Sequence, residues 1–283
     1  MKFKLKQIFY ILYLPYYITE VILFKIFQKK NTNLSYHAMV NYFCLTGGWS
    51  NNLLHNFLKK RKKKENTIYE IENLRRDGFL VKKKYLGNDD VKNFFEELSN
   101  INGYWLGDKY KSTHKEILSS QIKSTKYFYE SEDLIKLKSV QSILMDKNLM
   151  DIAREYLEAE PILYNINCWY NFPSLEPDSN AAQLWHFDMD RPKWIKLFFY
   201  LTDCNEDNGP HCFVKGSHSN NSIPIKLRKL GYSRISDNQV EEEFEKKDLL
   251  EHSFNKGDLI MEDSRGLHKG KKVISKYIGF CSK

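Results

Sequence analysis

Cysteine is scarce in this chain, and the few cysteines are not arranged in pairs. There are five in 283 residues, an odd number, and no two of them form a CxxC motif. A disulfide framework and a structural zinc site both need paired cysteines, so neither is expected. Reduced thiols in a cytoplasmic protein fit this pattern best.

Several catalytic and nucleotide-binding motifs are also missing. The chain has no GxGxxG sequence and no P-loop, so nothing in it predicts a glycine-rich phosphate cradle. It has no GxSxG elbow, which argues against an α/β-hydrolase. The function must therefore be sought in other residue patterns.

An uninterrupted membrane span is lacking as well, although the N-terminus is apolar. The segment Gln7–Phe24 is rich in aromatic and aliphatic residues, but Pro15 and Glu20 interrupt it and no small-residue cleavage site follows. The uncharged stretch is shorter than the roughly 20 residues of a transmembrane helix. Two interpretations stay open: an apolar helix packed on the domain, or a helix in peripheral contact with an anionic membrane through residues 1–28.

The charge that is present is basic and locally concentrated. The formal net charge is +8, and residues 59–64 form an unbroken basic run, which is typical of a solvated linker. No aromatic stacking platform or recognition helix accompanies the run, so a nucleic-acid partner is not expected. A basic balance mildly favours an anionic small-molecule substrate.

The basic run divides the chain into an N-terminal helical extension, residues 1–65, and a compact domain, residues 66–283. With 42% hydrophobic and 14% aromatic residues, the chain can bury one sizeable core. Helical patterns come first in the domain, and strand patterns at Ile162–Tyr170, Trp194–Leu201 and Ser253–Met261 come later. This order predicts an α+β fold with helices backing a β-sandwich or barrel, and it resembles a double-stranded β-helix, the jelly roll of cupin-like proteins.

A histidine and an aspartate stand two residues apart in this domain, at His186 and Asp188. On a strand, side chains at i and i+2 project from the same face, so an imidazole and a carboxylate can converge on one point. His268 follows a later Gly-Asp strand and is the natural third ligand. Two histidines and one carboxylate leave adjacent positions of a metal open, which suits oxygen activation by Fe(II).

Five segments together resemble the phytanoyl-CoA dioxygenase family of Fe(II)/2-oxoglutarate oxygenases, over residues 68–283. They are LRRDGFLV (74–81), WHFD (185–188), KLFFYLTD (196–203), DNGPHCFVKGSH (207–218) and GDLIMEDSRGLHKG (257–270). The resemblance implies Fe(II), 2-oxoglutarate and O2 as cofactor and co-substrates, and oxidation of a substrate with release of succinate and CO2. It also implies hydroxylation rather than halogenation, because halogenating relatives have a small residue where this chain has Asp188.

The family binds the distal carboxylate of 2-oxoglutarate with a cation, usually an arginine on the strand after the second histidine. This sequence has no arginine there, and Lys276 occupies about that place. A lysine supplies the charge without the bidentate fork. The resemblance therefore predicts Lys276 as the anchor, with a departure from the usual residue type.

Further cofactor-binding residues are predicted around the strand that follows the HxD pair. Alternation puts Lys196, Phe198 and Tyr200 on one face, and the resemblance implies that this face lines the co-substrate pocket. Gln183 and Trp185 flank the pair and are candidates for the pocket or for partners of the histidine rings.

Three other polar residues carry open alternatives. His211 either faces the pocket or is structural, and a structural hydrogen bond at a turn is the simpler interpretation of His218. Arg265 either orients Asp188 or a substrate, or forms a structural salt bridge. Two rival functions also stay open: a catalytically silent binding module of the same fold, and a cupin-like metalloprotein that does not use 2-oxoglutarate.

Overall fold

The computed structural model describes residues 69–108, 111–113, 117, 122–178, 180–188, 193–219, 222–230, 235–274 and 279–282. The predicted N-terminal extension, with its apolar segment and its basic run, lies outside the described residues, and so does Lys276. The domain boundary near residue 66 stays a prediction. Within the described part, no helix is long and apolar enough to cross a membrane.

The described residues form helices and short strands, with most of the longer helices preceding most of the strands. The helices are α1 (Tyr69–Asp77), α2 (Asn88–Leu98), α3 (Ser131–Leu134), α4 (Lys138–Leu144), α5 (Lys147–Leu157), α6 (Ile225–Arg228) and α7 (Asp237–Glu241), with a 3-10 turn at Lys246–Asp248. The strands are β1 (Phe79–Lys82), β2 (Gly103–Trp105), β3 (Lys111–Ser112), β4 (Lys126–Tyr129), β5 (Cys168–Asn171), β6 (Lys196–Tyr200), β7 (His211–Val214), β8 (Leu249–His252), β9 (Leu259–Glu262), β10 (His268–Gly270) and β11 (Gly279–Ser282).

These strands form two antiparallel sheets among the described residues. The large sheet has the order β1-β9-β6-β11-β5-β4-β2-β3, and the small sheet has the order β10-β7-β8. The inner faces of the sheets meet where the Phe79 ring lies 5.5 Å from Phe213 and 4.9 Å from the ring of His252. The predicted α+β class, with helices and antiparallel sheets, is confirmed at this level.

The outer face of the large sheet is covered by helices. Leu197 and Phe199 of β6 pack in one apolar cluster with Ile71 of α1 and with Leu149 and Ile152 of α5. Burying these side chains contributes roughly 1.5–3 kcal/mol each, which is what holds the helices on the sheet. The alternation of β6 therefore sends its other residues, beginning with Lys196, to the inner face.

Two predicted strands differ from the observed ones. The strand expected at Ile162–Tyr170 begins only at Cys168, and Ile162 is 88% exposed. Ser253–Met261 is a turn followed by a strand, because β8 ends at His252 and β9 starts at Leu259. The turn uses Gly257 at φ +89°, where a side chain would meet the backbone of Leu86. Apolar composition alone did not place these boundaries.

Candidate metal centre

The two histidines of the predicted ligand set face each other across an antiparallel bridge. The His186 amide donates to the His268 carbonyl at 3.0 Å, and the His268 amide donates to the His186 carbonyl at 2.9 Å. Residues paired in this way project their side chains to the same side of a sheet. The ring centroids accordingly lie 4.2 Å apart, although the residues are 82 positions apart in the chain, 186 against 268.

Asp188 lies beside the two rings because it stands two residues after His186 in an extended segment. Its amide donates to the Ser264 carbonyl at 2.7 Å, which holds the segment against the loop before His268. Its Oδ2 lies 3.5 Å from His268 Nε2. One ligand atom from each of the three residues falls within 4.8 Å of the others, and all three side chains are buried. Two imidazoles and one carboxylate are a donor set that fits a divalent transition metal such as iron.

The rings are held in the tautomer that a metal needs. His186 Nδ1 donates to the Leu184 carbonyl and His268 Nδ1 donates to the Gly266 carbonyl, each at 2.9 Å. With its hydrogen on Nδ1, a neutral imidazole can offer the lone pair of Nε2 to a metal. Burial, followed by the neighbouring His186 and Lys196, lowers the pKa of His268 well below its ordinary value, so this ring is neutral near pH 7.

Gln183 and Trp185, the predicted partners of these rings, make their polar contacts elsewhere. The Gln183 side-chain oxygen accepts from the Asp178 amide at 2.8 Å, and Trp185 Nε1 donates to Asp237 at 2.7 Å. Trp185 packs in an apolar cluster on the opposite side of the bridge from the histidine rings. Backbone carbonyls two residues before each histidine supply the ring contacts instead. Every residue has a carbonyl, so residue types do not indicate which carbonyl will make such a contact.

Lys196, predicted to line the pocket, lies directly at the ligands. Its ammonium donates to Asp188 Oδ2, the same oxygen that faces His268, and it lies 4.9 Å from the centre of the Trp194 ring. The side chain is buried, and a buried ammonium is costly unless it is paired with an anion. The structure thus brings one cation of the inner face into contact with the predicted carboxylate ligand.

Phe198 and Tyr200 share the inner face with Lys196, as their spacing predicts. The Phe198 ring lies 5.3 Å from the ring of His211, close to the ligands. Tyr200 stacks on Phe254 at 4.1 Å, in the apolar cluster that also contains Phe198. Both residues are therefore inside the sandwich, and Phe198 is the one that contacts the ring of His211.

His211 and Glu262 extend the site beyond the residues that sequence reasoning selected. His211 Nε2 donates to Glu262 Oε2 at 2.6 Å, and Glu262 Oε1 lies 3.8 Å from His268 Nε2. Glu262 was not considered from the sequence, although it is the polar member of an otherwise apolar strand, LIME. Its register partner on β6 is Lys196, so a pairing of these strands would have indicated it.

His218 and Arg265 have structural contacts. His218 Nε2 donates to the Arg75 carbonyl at 3.0 Å, and the guanidinium of Arg265 forms a buried ion pair with Asp263 at 2.5 Å. Of the two interpretations of each residue, the structural one is observed.

The arrangement can be compared with known proteins. The chain matches the family model described as Phytanoyl-CoA dioxygenase (PhyH) over residues 74–278. No curated protein matches the chain in sequence.

Among solved structures, the chain is similar to HygX from Streptomyces hygroscopicus with nickel and 2-oxoglutarate bound. The two share 18% identity and a TM-score of 0.55 over 77% of this chain and 85% of that chain. EctD from S. alaskensis in its apoform shares 14% identity and a TM-score of 0.55, with 78% of each chain covered. The epimerase SnoN in complex with Fe3+, alpha ketoglutarate and nogalamycin RO shares 12% identity and a TM-score of 0.51, over 75% of this chain and 80% of that chain. Likenesses at these identities show a shared fold.

Proposed function

Since the chain belongs to the phytanoyl-CoA dioxygenase family, a family of Fe(II)- and 2-oxoglutarate-dependent oxygenases, we propose that it oxidises a small organic substrate at a metal centre formed by His186, Asp188 and His268. Hydroxylation is the specific reaction proposed, because Asp188 fills the position that halogenating relatives leave small. We also propose that the two antiparallel sheets are the halves of a double-stranded β-helix.

The observation that carries the proposal is the convergence of three buried ligand atoms within 4.8 Å of one another. The backbone occupies Nδ1 of each ring, and Nε2 of His268 lies 3.5 Å from Oδ2 of Asp188. A site built in this way is prepared for a cation.

When bound, iron and 2-oxoglutarate supply the oxidising chemistry, with O2 as oxidant and succinate and CO2 as products of the co-substrate. The protein's own residues have three tasks. The ligands fix the position of the metal, and the apolar side chains around Phe198 exclude water. Lys196 orients Asp188 and, once a cation shares that carboxylate, offers its charge to the anionic co-substrate.

Lys276 remains the proposed anchor of the distal carboxylate of 2-oxoglutarate. The two lysines would then divide the work, with Lys196 near the metal and Lys276 at the far end of the co-substrate. Lysine suits such a role as a point charge, without the planar fork of arginine.

The proposed substrate is a small molecule. HygX has also been solved with hygromycin B bound, and SnoN with nogalamycin RO, so this fold accommodates molecules of that size in other proteins. The net charge of +8 favours a substrate with anionic groups, because a basic protein attracts anions over a Debye length of about 8–10 Å.

An anaerobic titration tests the proposed function. Adding Fe(II) and then 2-oxoglutarate to the purified chain should give a visible metal-to-ligand charge-transfer band, and O2 should then release succinate. His186→Ala is the control and should give neither signal. Iron binding without the band would favour the cupin-like alternative, whereas no iron binding and no succinate would favour the silent binding module.

A further inference from the structure

Glu262 is a buried carboxylate that the proposed mechanism does not use. It lies at the end of β9 with no exposed surface, and the alternation of that strand directs it to the inner face with Ile260. Its Oε2 accepts the hydrogen bond from His211 Nε2 at 2.6 Å. Its Oε1 has no hydrogen-bond partner among the described residues and lies 3.8 Å from His268 Nε2.

A half-satisfied carboxylate in this position requires a donor or a cation. Leaving a buried charged acceptor without a partner costs more than the roughly 1–3 kcal/mol of a neutral group. The hydrogen bond from His211 prevents the carboxylate from turning both oxygens away from the ligands. The unpartnered oxygen is therefore directed at the atom through which His268 would hold a metal.

Glu262 is better suited to an outer position than to direct ligation. The set of ligand atoms within 4.8 Å of one another, in the part of the chain that the structure describes, consists of His186, Asp188 and His268. Glu262 stands next to that set, and its other oxygen is already engaged. A carboxylate placed beside the ligands can still accept a hydrogen bond from a molecule that occupies an open position of the metal.

We propose that Glu262 is the outer carboxylate of this metal centre: its Oε1 accepts a hydrogen bond from a metal-bound water, and His211 is the positioning residue that holds it there. The proposal rests on the metal centre described under the proposed function. The register of β6 and β9 places Lys196 opposite Glu262. Lys196, which pairs with Asp188, and Glu262, which lies beside His268, flank the ligands. The positive charge of the lysine and the negative charge of the glutamate therefore offset each other around the metal.

Cobalt(II) binding tests this inference without turnover. Isothermal titration and the visible d–d absorption of Co(II) are measured, without 2-oxoglutarate, for the wild type, Glu262→Gln, His186→Ala and Asp258→Asn. Glutamine keeps an acceptor for His211 and removes the charge, so we expect Glu262→Gln to bind Co(II) about tenfold more weakly, in the range of outer partners of metal ligands, and to alter the d–d spectrum. Asp258→Asn removes an equally buried carboxylate four positions earlier and should leave Co(II) affinity unchanged.

The outcomes separate this inference from the proposed function. Wild-type affinity and spectrum in Glu262→Gln, with binding lost in His186→Ala, would overturn only the role of Glu262. Equal binding by the wild type and His186→Ala would overturn the metal centre itself. If Glu262→Gln fails to fold by circular dichroism, His211→Asn decides: it keeps the charge and frees the carboxylate, so a severalfold weaker affinity is expected, and unchanged affinity would contradict the proposal.

Discussion

Two buried polar clusters share the segment between β9 and β10, and they differ in how completely their groups are paired. In the first, Asp263 accepts from Arg265 Nε at 2.8 Å and from the Tyr156 hydroxyl at 2.6 Å, which makes a closed cluster. In the second, Glu262 and His268 lie with His186 and Asp188, and Nε2 of His268 lies 3.5 Å from Asp188 Oδ2 and 3.8 Å from Glu262 Oε1 without a close partner for the glutamate oxygen in the described part of the chain, which makes an open cluster. Glu262, the last residue of β9, and Asp263, which follows it, supply one carboxylate to each cluster.

Burial is the same in the two clusters, so it does not distinguish a structural charge from a functional one. Asp263 and Glu262 both have no exposed surface. The clusters differ in pairing. Each carboxylate oxygen of Asp263 has a positively charged partner at hydrogen-bond distance, whereas Oε1 of Glu262 has none among the described residues. The guanidinium of Arg265 lowers the pKa of Asp263 against the opposing effect of burial, so the closed cluster keeps its charges with no ligand. The open cluster needs a ligand to balance its charges.

The largest expected effect is the loss of metal from the open cluster. Asp188→Asn removes the one carboxylate of the ligand set, so Co(II) or Fe(II) affinity should fall by more than the roughly 10–100-fold typical of outer partners, and succinate release should fall to background. Calorimetric titration measures the affinity. Asp237→Asn is a control, because Asp237 pairs with Trp185 and Lys269 away from the ligands. Metal binding retained by Asp188→Asn would contradict the assignment.

The closed cluster should instead fail in stability. Arg265→Met leaves Asp263 buried without its partner, and we expect the free energy of unfolding to fall by about 3–5 kcal/mol, measured by urea denaturation of the apoprotein. The double variant Asp263→Leu/Arg265→Met removes both charges and should recover part of the loss. A single variant as stable as the wild type would show that the closed cluster is not structural.

Two lysines that are buried in the described part of the chain provide an internally matched test. Lys196 pairs with Asp188 and lies 4.9 Å from the Trp194 ring, and Lys269 pairs with Asp237 and lies 5.1 Å from the Trp185 ring. With metal bound, Lys196→Met should weaken 2-oxoglutarate binding about 10–100-fold, because the positive charge that Lys196 offers to the anionic co-substrate is lost. Lys269→Met should leave 2-oxoglutarate affinity unchanged. Equal effects in an anaerobic titration would remove the special role of Lys196.

The ligand set could be predicted from the sequence because it follows from local geometry and a distinctive combination of motifs. Spacing alone put His186 and Asp188 on one face, and His268 was identified by its place after a Gly-Asp strand. The inner face of Lys196, Phe198 and Tyr200 followed from alternation in the same way. The two assignments of residues to a common face needed only the two-residue period of extended chain, whereas His268 needed the motif that precedes it.

The rest depends on contacts between distant segments, which a single sequence does not encode legibly. Gln183 and Trp185 were chosen as ring partners by proximity in the chain, whereas the carbonyls of Leu184 and Gly266 make those contacts. Glu262 was missed because its importance arises from the register of β9 with β6 and from the approach of His211 on another sheet. The roles of Arg265 and His218 likewise required the position of a partner far along the chain.

The smallest expected effect is a loss of folding stability at acid pH. It tests whether the imidazole of His252, next to the open cluster, is neutral in the folded protein. His252 is the register partner of His211, and its Nε2 has no hydrogen-bond partner among the described residues. Burial, followed by His211 and Lys83, lowers the pKa of His252 to about 4, from an ordinary value of 6.5. Because the folded-state pKa lies below the unfolded one, this contribution to stability is complete above about pH 6.5 and is lost as the pH falls towards 4.

His252→Phe should therefore reduce the acid sensitivity of the fold. Phenylalanine can pack against the same neighbours, Phe79 and Phe254, and it does not take up a proton. Between pH 7 and pH 5 the wild type should lose about 1 kcal/mol more than the variant, a value reduced to allow for partial exposure of the ring. Urea denaturation of both proteins at the two pH values measures this difference. An equal loss of stability in the two proteins would mean that His252 is protonated as readily in the folded chain as in the unfolded one.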